Sequence, residues 1–177
     1  MALLNPHLRT LAAAALLGTA AAAAEPLEYA VKAAYLSKFS FYVEWPAGSF
    51  SGTSAVNLCV IGEDPFGPQL DEAVAGQQLE GRPLAVRRLK AASREAGCHI
   101  AYFGEAHPAA ALEPLRGAPV LVVTDARSAG VPGAIQFVVK DDRVRFVIDE
   151  EAAAQNGLKI SSKLLGLALS VKPKGAR

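Results

Sequence analysis

The chain has 177 residues, 51% of them hydrophobic, with 18 Lys and Arg against 17 Asp and Glu and a formal net charge of +1. That length suits one domain with a real core. The balanced charge gives no electrostatic case for nucleic acid or an anionic membrane. Residues 1–24 read as a signal peptide: Arg9, with His7, gives a weakly positive start, Leu11 to Leu17 an apolar stretch, and Ala20 to Ala24 the small residues before a cleavage expected between Ala24 and Glu25. The stretch is short for a membrane span, so the mature chain is expected to be exported, to the periplasm, without inserting in a membrane. Arg9 is the leader's one charged residue, so about 150 formally neutral residues remain.

The mature chain opens on a segment, Val31 to Pro46, that gathers five of the chain's twelve aromatic residues. Val31, Tyr35, Phe39 and Tyr42 recur at helical spacing, so the pattern predicts a helix burying that face, with Lys32, Ser37 and Ser40 pointing elsewhere. Pro46 should end the helix at Trp45. An aromatic face that docks a ligand or partner, through Tyr35, Phe39 and Trp45, is the alternative to a core-facing helix.

A turn-rich link over 47–54 leads to Val56 to Ile61, a short apolar run closed by Gly62 and read as a buried strand. Asp64-Pro65 resembles an N-cap with proline at the first helical position, opening a helix that stops at Gly76. Leu84 to Leu89 alternates as an edge-lying strand. Its basic cluster, Arg87, Arg88, Lys90 and Arg94, reads as a solvated edge or a docking patch. Cys98 to Phe103 is the next strand, Pro108 to Leu115 a short helix, and Val120 to Val123 a third apolar strand ending in Thr124-Asp125. Strand–helix alternation implies parallel pairing through right-handed crossovers. Ile135 to Val139 and Val144 to Ile148, joined tightly by Lys140-Asp141-Asp142-Arg143, form an antiparallel hairpin. Asp149 caps a helix ended by Gly157. Ser161 caps a last helix through Leu164, Leu165, Leu167 and Leu169, and a frayed tail follows.

The expected fold is therefore a single α/β sandwich: a mixed, mostly parallel sheet, helices on both faces and a C-terminal antiparallel hairpin. The expected boundaries are a leader over 1–24, a domain over 25–171 and a flexible tail over 172–177.

Chemistry is sparse. His99 and His107 share no metal-ligand spacing, and no G-x-S-x-G, P-loop or G-x-G-x-x-G is present. Ser162-Lys163 is adjacent rather than one helical turn apart. Neither an enzyme nor a cofactor is expected. Cys59 and Cys98, an even pair in an oxidising compartment, suggest a disulfide; two buried thiols are the alternative, and a metal site made by two cysteines is less consistent. In open parallel sheets ligands bind beyond the carboxyl ends of strands. Gly62-Glu63-Asp64, Gly104-Glu105 and Thr124-Asp125 stand there, so Glu63 and Asp64 are candidate ligand residues for an amine, a sugar hydroxyl or a cation, set against plain capping and solvated loops.

Four landmarks in order resemble the YfiR-like (HmsC-like) family: Lys32-Ala33-Ala34-Tyr35-Leu36-Ser37-Lys38-Phe39 running to Glu44-Trp45-Pro46; Cys59 to Gly67; Gly97-Cys98-His99; and Arg145 to Asp149 followed by Gly157 to Leu165. The resemblance covers roughly residues 29–169. It implies a periplasmic α/β domain without known catalysis. Members repress a membrane-bound diguanylate cyclase by holding its periplasmic sensor domain, which lowers cyclic di-GMP signalling and with it biofilm and exopolysaccharide. An OmpA-like outer-membrane lipoprotein sequesters the repressor, and dimerisation and redox sensitivity are associated with the family. Cys59 and Cys98 sit where members carry a cysteine pair; the second, C-terminal pair of some members is missing. A periplasmic small-ligand sensor or solute-binding domain, using the strand-end crevice, is the rival reading.

Overall fold

The computed structural model describes residues 21–104, 106–127 and 130–175, with side chains from residue 27 onward. The expected leader therefore lies almost wholly outside the described residues, as do Glu105 and the last two residues of the tail. In chain order the elements are α1 (Ala21–Phe39), β1 (Val43–Glu44), β2 (Val56–Ile61), α2 (Pro68–Val74), β3 (Gln78–Leu79), β4 (Arg82–Leu89), β5 (Ile100–Phe103), β6 (Leu121–Asp125), β7 (Ile135–Lys140), β8 (Arg143–Asp149), α3 (Glu150–Gln155), β9 (Lys159–Ile160), α4 (Ser162–Leu165) and β10 (Ser170–Lys172). Short 3₁₀ turns occupy Ser40–Tyr42, Arg94–Ala96, Ala109–Ala111 and Glu113–Leu115.

Eight strands form one mixed sheet in the order β10-β8-β7-β6-β5-β2-β4-β3. The centre, from β4 through β2, β5 and β6 to β7, is parallel. The β7–β8 hairpin is antiparallel, with Lys140 opposite Arg143 and a two-residue turn in which Asp141 and Asp142 have φ of 51° and 55°. That geometry is the mirror-image turn that suits the twist of a hairpin. β4, expected at the edge, lies second from it, because the two-residue β3 pairs with its first residues, Arg82 and Pro83.

Alternation along the central strands divides the core in two. Leu58, Val60, Ile100, Tyr102, Leu121 and Val123 face α1 and α2. Cys59, Ile61, Ala101, Phe103 and Val122 face the other way, under the turns that carry Leu115. Cys59 and Cys98 are joined as a disulfide on this second face, with Cα atoms 5.8 Å apart. Asp149 caps α3 by accepting the Ala152 N–H at 2.9 Å.

Several local expectations give way. α1 ends at Phe39 rather than Trp45: Ser40–Tyr42 tighten into a 3₁₀ turn, and Val43 is drawn into antiparallel pairing with Ile160. Asp64 does not cap α2. It accepts the Phe66 N–H at 2.8 Å, and the helix starts at Pro68, so the proline at the first turn is Pro68 rather than Pro65. Residues 109–115 form two 3₁₀ turns instead of one helix. α4 stops at Leu165, and Ser170–Lys172 forms a strand parallel to β8, with Lys172 Nζ 2.9 Å from Asp149. The buried face of α1 is also rotated from the aromatic stripe: Lys32, Ala33, Leu36, Ser37, Phe39 and Ser40 are buried, whereas Val31, Tyr35 and Tyr42 are only half-buried.

Candidate functional site

The sequence marked two regions, the aromatic helix and the carboxyl ends of the strands. The structure treats them differently.

Tyr35 and Phe39 extend an aromatic cluster over β7 and β8, with Phe39 5.4 Å from Phe146 and Tyr35 5.3 Å from the same ring. Phe39 is part of the core, so it supports a surface without touching a partner. Tyr35 reaches a shallow groove on the outer side of α1, with Ala30, Val31, Ala34 and Lys38. Leu27 (68% exposed) and Phe41 (39% exposed) stand at the two ends of this helical segment. Apolar side chains exposed together on one helix mark a surface that binds something more often than chance scatter does.

Trp45 sits at the other end of the helix. Its Nε1–H donates to the Ser40 carbonyl at 3.1 Å, and its ring meets Phe50 edge-on at 5.4 Å. His99 completes this corner. Its Nδ1 accepts the Asn57 N–H at 3.0 Å while Nε2 donates to the Ser49 carbonyl at 3.1 Å, so the ring is a neutral strut tying the 46–51 loop to β2. Burial holds its pKa below the usual imidazole value of 6.5.

At the strand ends the acidic residues do not converge on one point. Asp64 receives Arg88 Nε at 2.6 Å, and the same guanidinium reaches Asp71 and the Gly67 carbonyl at 2.9 Å. This clamp braces the β2–α2 turn, and the side-chain bond from Arg88 keeps the Asp71 carboxyl below its usual range. Glu63 is adjacent, in the same turn. The crevice itself is a cavity of about 330 Å³ whose walls include Ile61, Phe103, Ala111 and Pro114, with Lys90 and His107 at its margin. It is largely apolar, contrary to the acidic rim expected. Among the described residues no three His, Cys, Asp or Glu gather as a metal site.

The group that sequence reasoning missed lies below that rim. Lys32, wholly buried, is ion-paired with Asp125 (3% exposed) and with Glu28 (10% exposed). Glu28 also holds Arg127 at 2.7 Å, and Asp125 accepts the Tyr102 hydroxyl at 3.4 Å and the Arg127 N–H at 3.0 Å. Burial and the neighbouring Asp125 push the Tyr102 phenol well above its ordinary pKa. Lys32 stands 4.8 Å from the Tyr29 ring centroid, a cation–π contact. Two cations and two carboxylates thus lock the first half of α1 to the carboxyl end of β6. Half of the signal was in the sequence, since Glu28 and Lys32 are one helical turn apart in the favourable order. Asp125, 93 residues away, was read as a strand-end carboxylate beside a ligand crevice or a solvated loop, and not as the partner of Lys32.

These features define a disulfide-bonded α/β domain whose first helix is locked at one end, cornered by aromatics at the other, and exposed along its outer side. The chain matches the YfiR/HmsC-like family model over residues 29–169 and belongs to that family, a family of periplasmic regulators. No curated protein matches it. No described helix is long and apolar enough to cross a membrane.

Proposed function

We propose that the protein is a non-enzymatic periplasmic regulator that binds the periplasmic sensor domain of a membrane-bound diguanylate cyclase and so lowers cyclic di-GMP signalling. Membership of the YfiR/HmsC-like family carries this reading. The outer side of α1 supplies the surface: Leu27, Val31, Ala34, Tyr35 and Phe41 form its apolar part and Lys38 its charge, with Phe39 acting from beneath and Trp45 fixing the end of the segment. Glu63 and Asp64, in the turn after β2, are a second contact point in this proposal. The regulatory logic is linkage: the protein binds one state of the cyclase better, and a competitor for the same surface, such as an OmpA-like lipoprotein or a second copy of this chain, releases it.

Cyclic di-GMP measured in cells with and without the protein, beside a leaderless control, tests the reading. The expected result is a rise on deletion, reversed by the exported form and not by the leaderless one. An exported Ala34→Arg variant should fold and fail to complement. No rise on deletion, in cells that express the protein, refutes the proposal.

The strand-end cavity favours a second reading, a small-ligand sensor, because about 330 Å³ at the ends of β2 and β5 falls in the range of small-ligand sites. Stabilisation of the purified protein by a ligand, lost on filling the cavity with Ala111→Leu, would support it.

A further inference from the structure

The strand-end cavity lies where the winding of the sheet reverses. β2 is followed by α2, which leads to β4 on one side and covers the first face of the sheet with Leu70 and Val74. β5, the neighbour of β2 on the other side, is followed by the connection that leads to β6 and covers the second face with Leu115 and Ala118. The chain therefore leaves the ends of two adjacent parallel strands in opposite directions. A crevice opens between them, at the position where open parallel sheets bind their ligands. The cavity of about 330 Å³ sits there, against Ile61 and Gly62 at the end of β2 and Phe103 at the end of β5.

The walls select the occupant. Ile61, Ala92, Ala111 and Pro114 present methyl and methylene groups, and the Phe103 ring is already engaged by the His107 ring at 5.0 Å, so an alkyl body suits them better than an aryl one. At about 30 Å³ for each water-sized group, the space takes roughly ten non-hydrogen atoms. Polar groups stand only at the margin. His107 Nε2 donates to the Val131 carbonyl at 3.2 Å. Lys90 makes no ion pair or hydrogen bond among the described residues, whereas Arg88, two positions earlier, is spent on Asp64 and Asp71. An ammonium has donors and no acceptor, so the head group that meets Lys90 has to accept, and a cation is repelled. No carboxylate stands among the described lining residues: Asp64 is held by Arg88, and Glu63, next to Gly62, is not part of the wall.

We infer that this cavity binds an aliphatic monocarboxylate of about six to eight carbons, its chain against Ile61 and Phe103 and its carboxylate at Lys90. The assignment rests on the cavity being a small-ligand site and adds the class of ligand. The site shares no residue with the outer side of α1.

Titration of the isotope-labelled mature protein, followed by amide signals, tests the assignment. The probes are butanoate, hexanoate and octanoate, with 1-hexanol and hexylamine as uncharged and cationic comparisons. The expected result is saturable movement of the Gly62, Ala92, Phe103 and Ala111 signals with hexanoate and octanoate, and none with hexylamine. Each further methylene that enters the cavity should tighten binding about fourfold. Lys90→Met, at an exposed position, should weaken octanoate about fivefold and leave the affinity for hexanol unchanged. Ala111→Leu, which fills the cavity, should abolish binding of both. An unchanged circular dichroism spectrum shows that each variant is folded. Hexanol or hexylamine binding as tightly as hexanoate overturns the assignment of an acid and leaves the cavity a ligand site, and so does unchanged octanoate affinity in folded Lys90→Met. No movement with any acid at tens of millimolar overturns the assignment, and the small-ligand reading falls with it only if no other ligand stabilises the protein.

Discussion

Lys32→Met is the most informative single change. It keeps the length of the side chain and removes the charge that Asp125 and Glu28 share. Glu28 retains Arg127, whereas Asp125 keeps only the Tyr102 hydroxyl and the Arg127 N–H in a site from which water is excluded. Breaking a buried pair from one side typically costs about 3–5 kcal/mol, because a charge is left uncompensated. For a domain of about 150 residues that corresponds to a fall in Tm of roughly 10–15 °C. Removing both partners with Lys32→Met/Asp125→Leu leaves no orphaned charge, although the buried Tyr102 hydroxyl loses its acceptor, so the double variant should regain about half of the loss. The assay is urea unfolding followed by Trp45 fluorescence and circular dichroism, with the four proteins closing a double-mutant cycle. A single-variant loss below about 1 kcal/mol, or a coupling under about 0.5 kcal/mol, would refute the claim that this network locks α1.

His99 makes stability depend on acid. Its folded pKa lies below 6.5 because of burial, so its contribution is complete above about pH 6.5 and is lost as the pH falls through the lower folded value. The urea midpoint should therefore drop between pH 7 and pH 5 more steeply in the wild type than in His99→Gln; parallel profiles would contradict the assignment. Replacing Asp141-Asp142 by Asn-Gly, which suits the two positive φ angles, should raise stability by about 1 kcal/mol, read as a higher urea midpoint at unchanged slope. The Cys59–Cys98 bridge closes a separation of 39 residues, so Cys59→Ala/Cys98→Ala should lower stability by about 4 kcal/mol in the same assay.

The elements readable in the sequence are those whose cause is local. The β7–β8 hairpin is written in two alternating runs around Asp141-Asp142, and the α3 cap in Asp149. The buried strands β2, β5 and β6 are apolar runs closed by Gly62, Gly104 and Asp125. The errors fall where a distant partner decides. Lys32 looked like a solvent residue because its counter-ion lies 93 positions on. That inversion turned the buried side of α1 away from the aromatic stripe. β1, β9 and β10 have two or three residues each, too few for a periodic signal, and exist through pairing across the chain. At the strand ends, Glu63 and Asp64 were legible as acidic and adjacent to a strand. That Arg88 would clamp Asp64 was not, since the arginine belongs to a strand that joins β2 only in the folded sheet.

The arrangement of restraints separates redox chemistry from the proposed binding surface. α1 is held at one end by the Lys32 network and at the other by the β1–β9 pair and Trp45, so its outer side is ordered before any partner arrives. A surface ordered in advance loses less entropy on binding. The disulfide lies on the opposite face of the sheet, packed with Leu115 and Phe103. The residue adjoining Cys98, His99, donates to the Ser49 carbonyl and so ties the bridge to the 46–51 loop. Reduction should therefore loosen β5 and that loop first, leaving the amides of α1 protected. Hydrogen exchange of the oxidised and reduced protein, compared below the unfolding transition, reads this directly. Faster exchange at Ile100–Phe103 and 46–51, with α1 unchanged, is the expected pattern, and the reduced, folded protein should keep its partner. Equal loss of protection along α1 would mean that the bridge governs the binding surface itself.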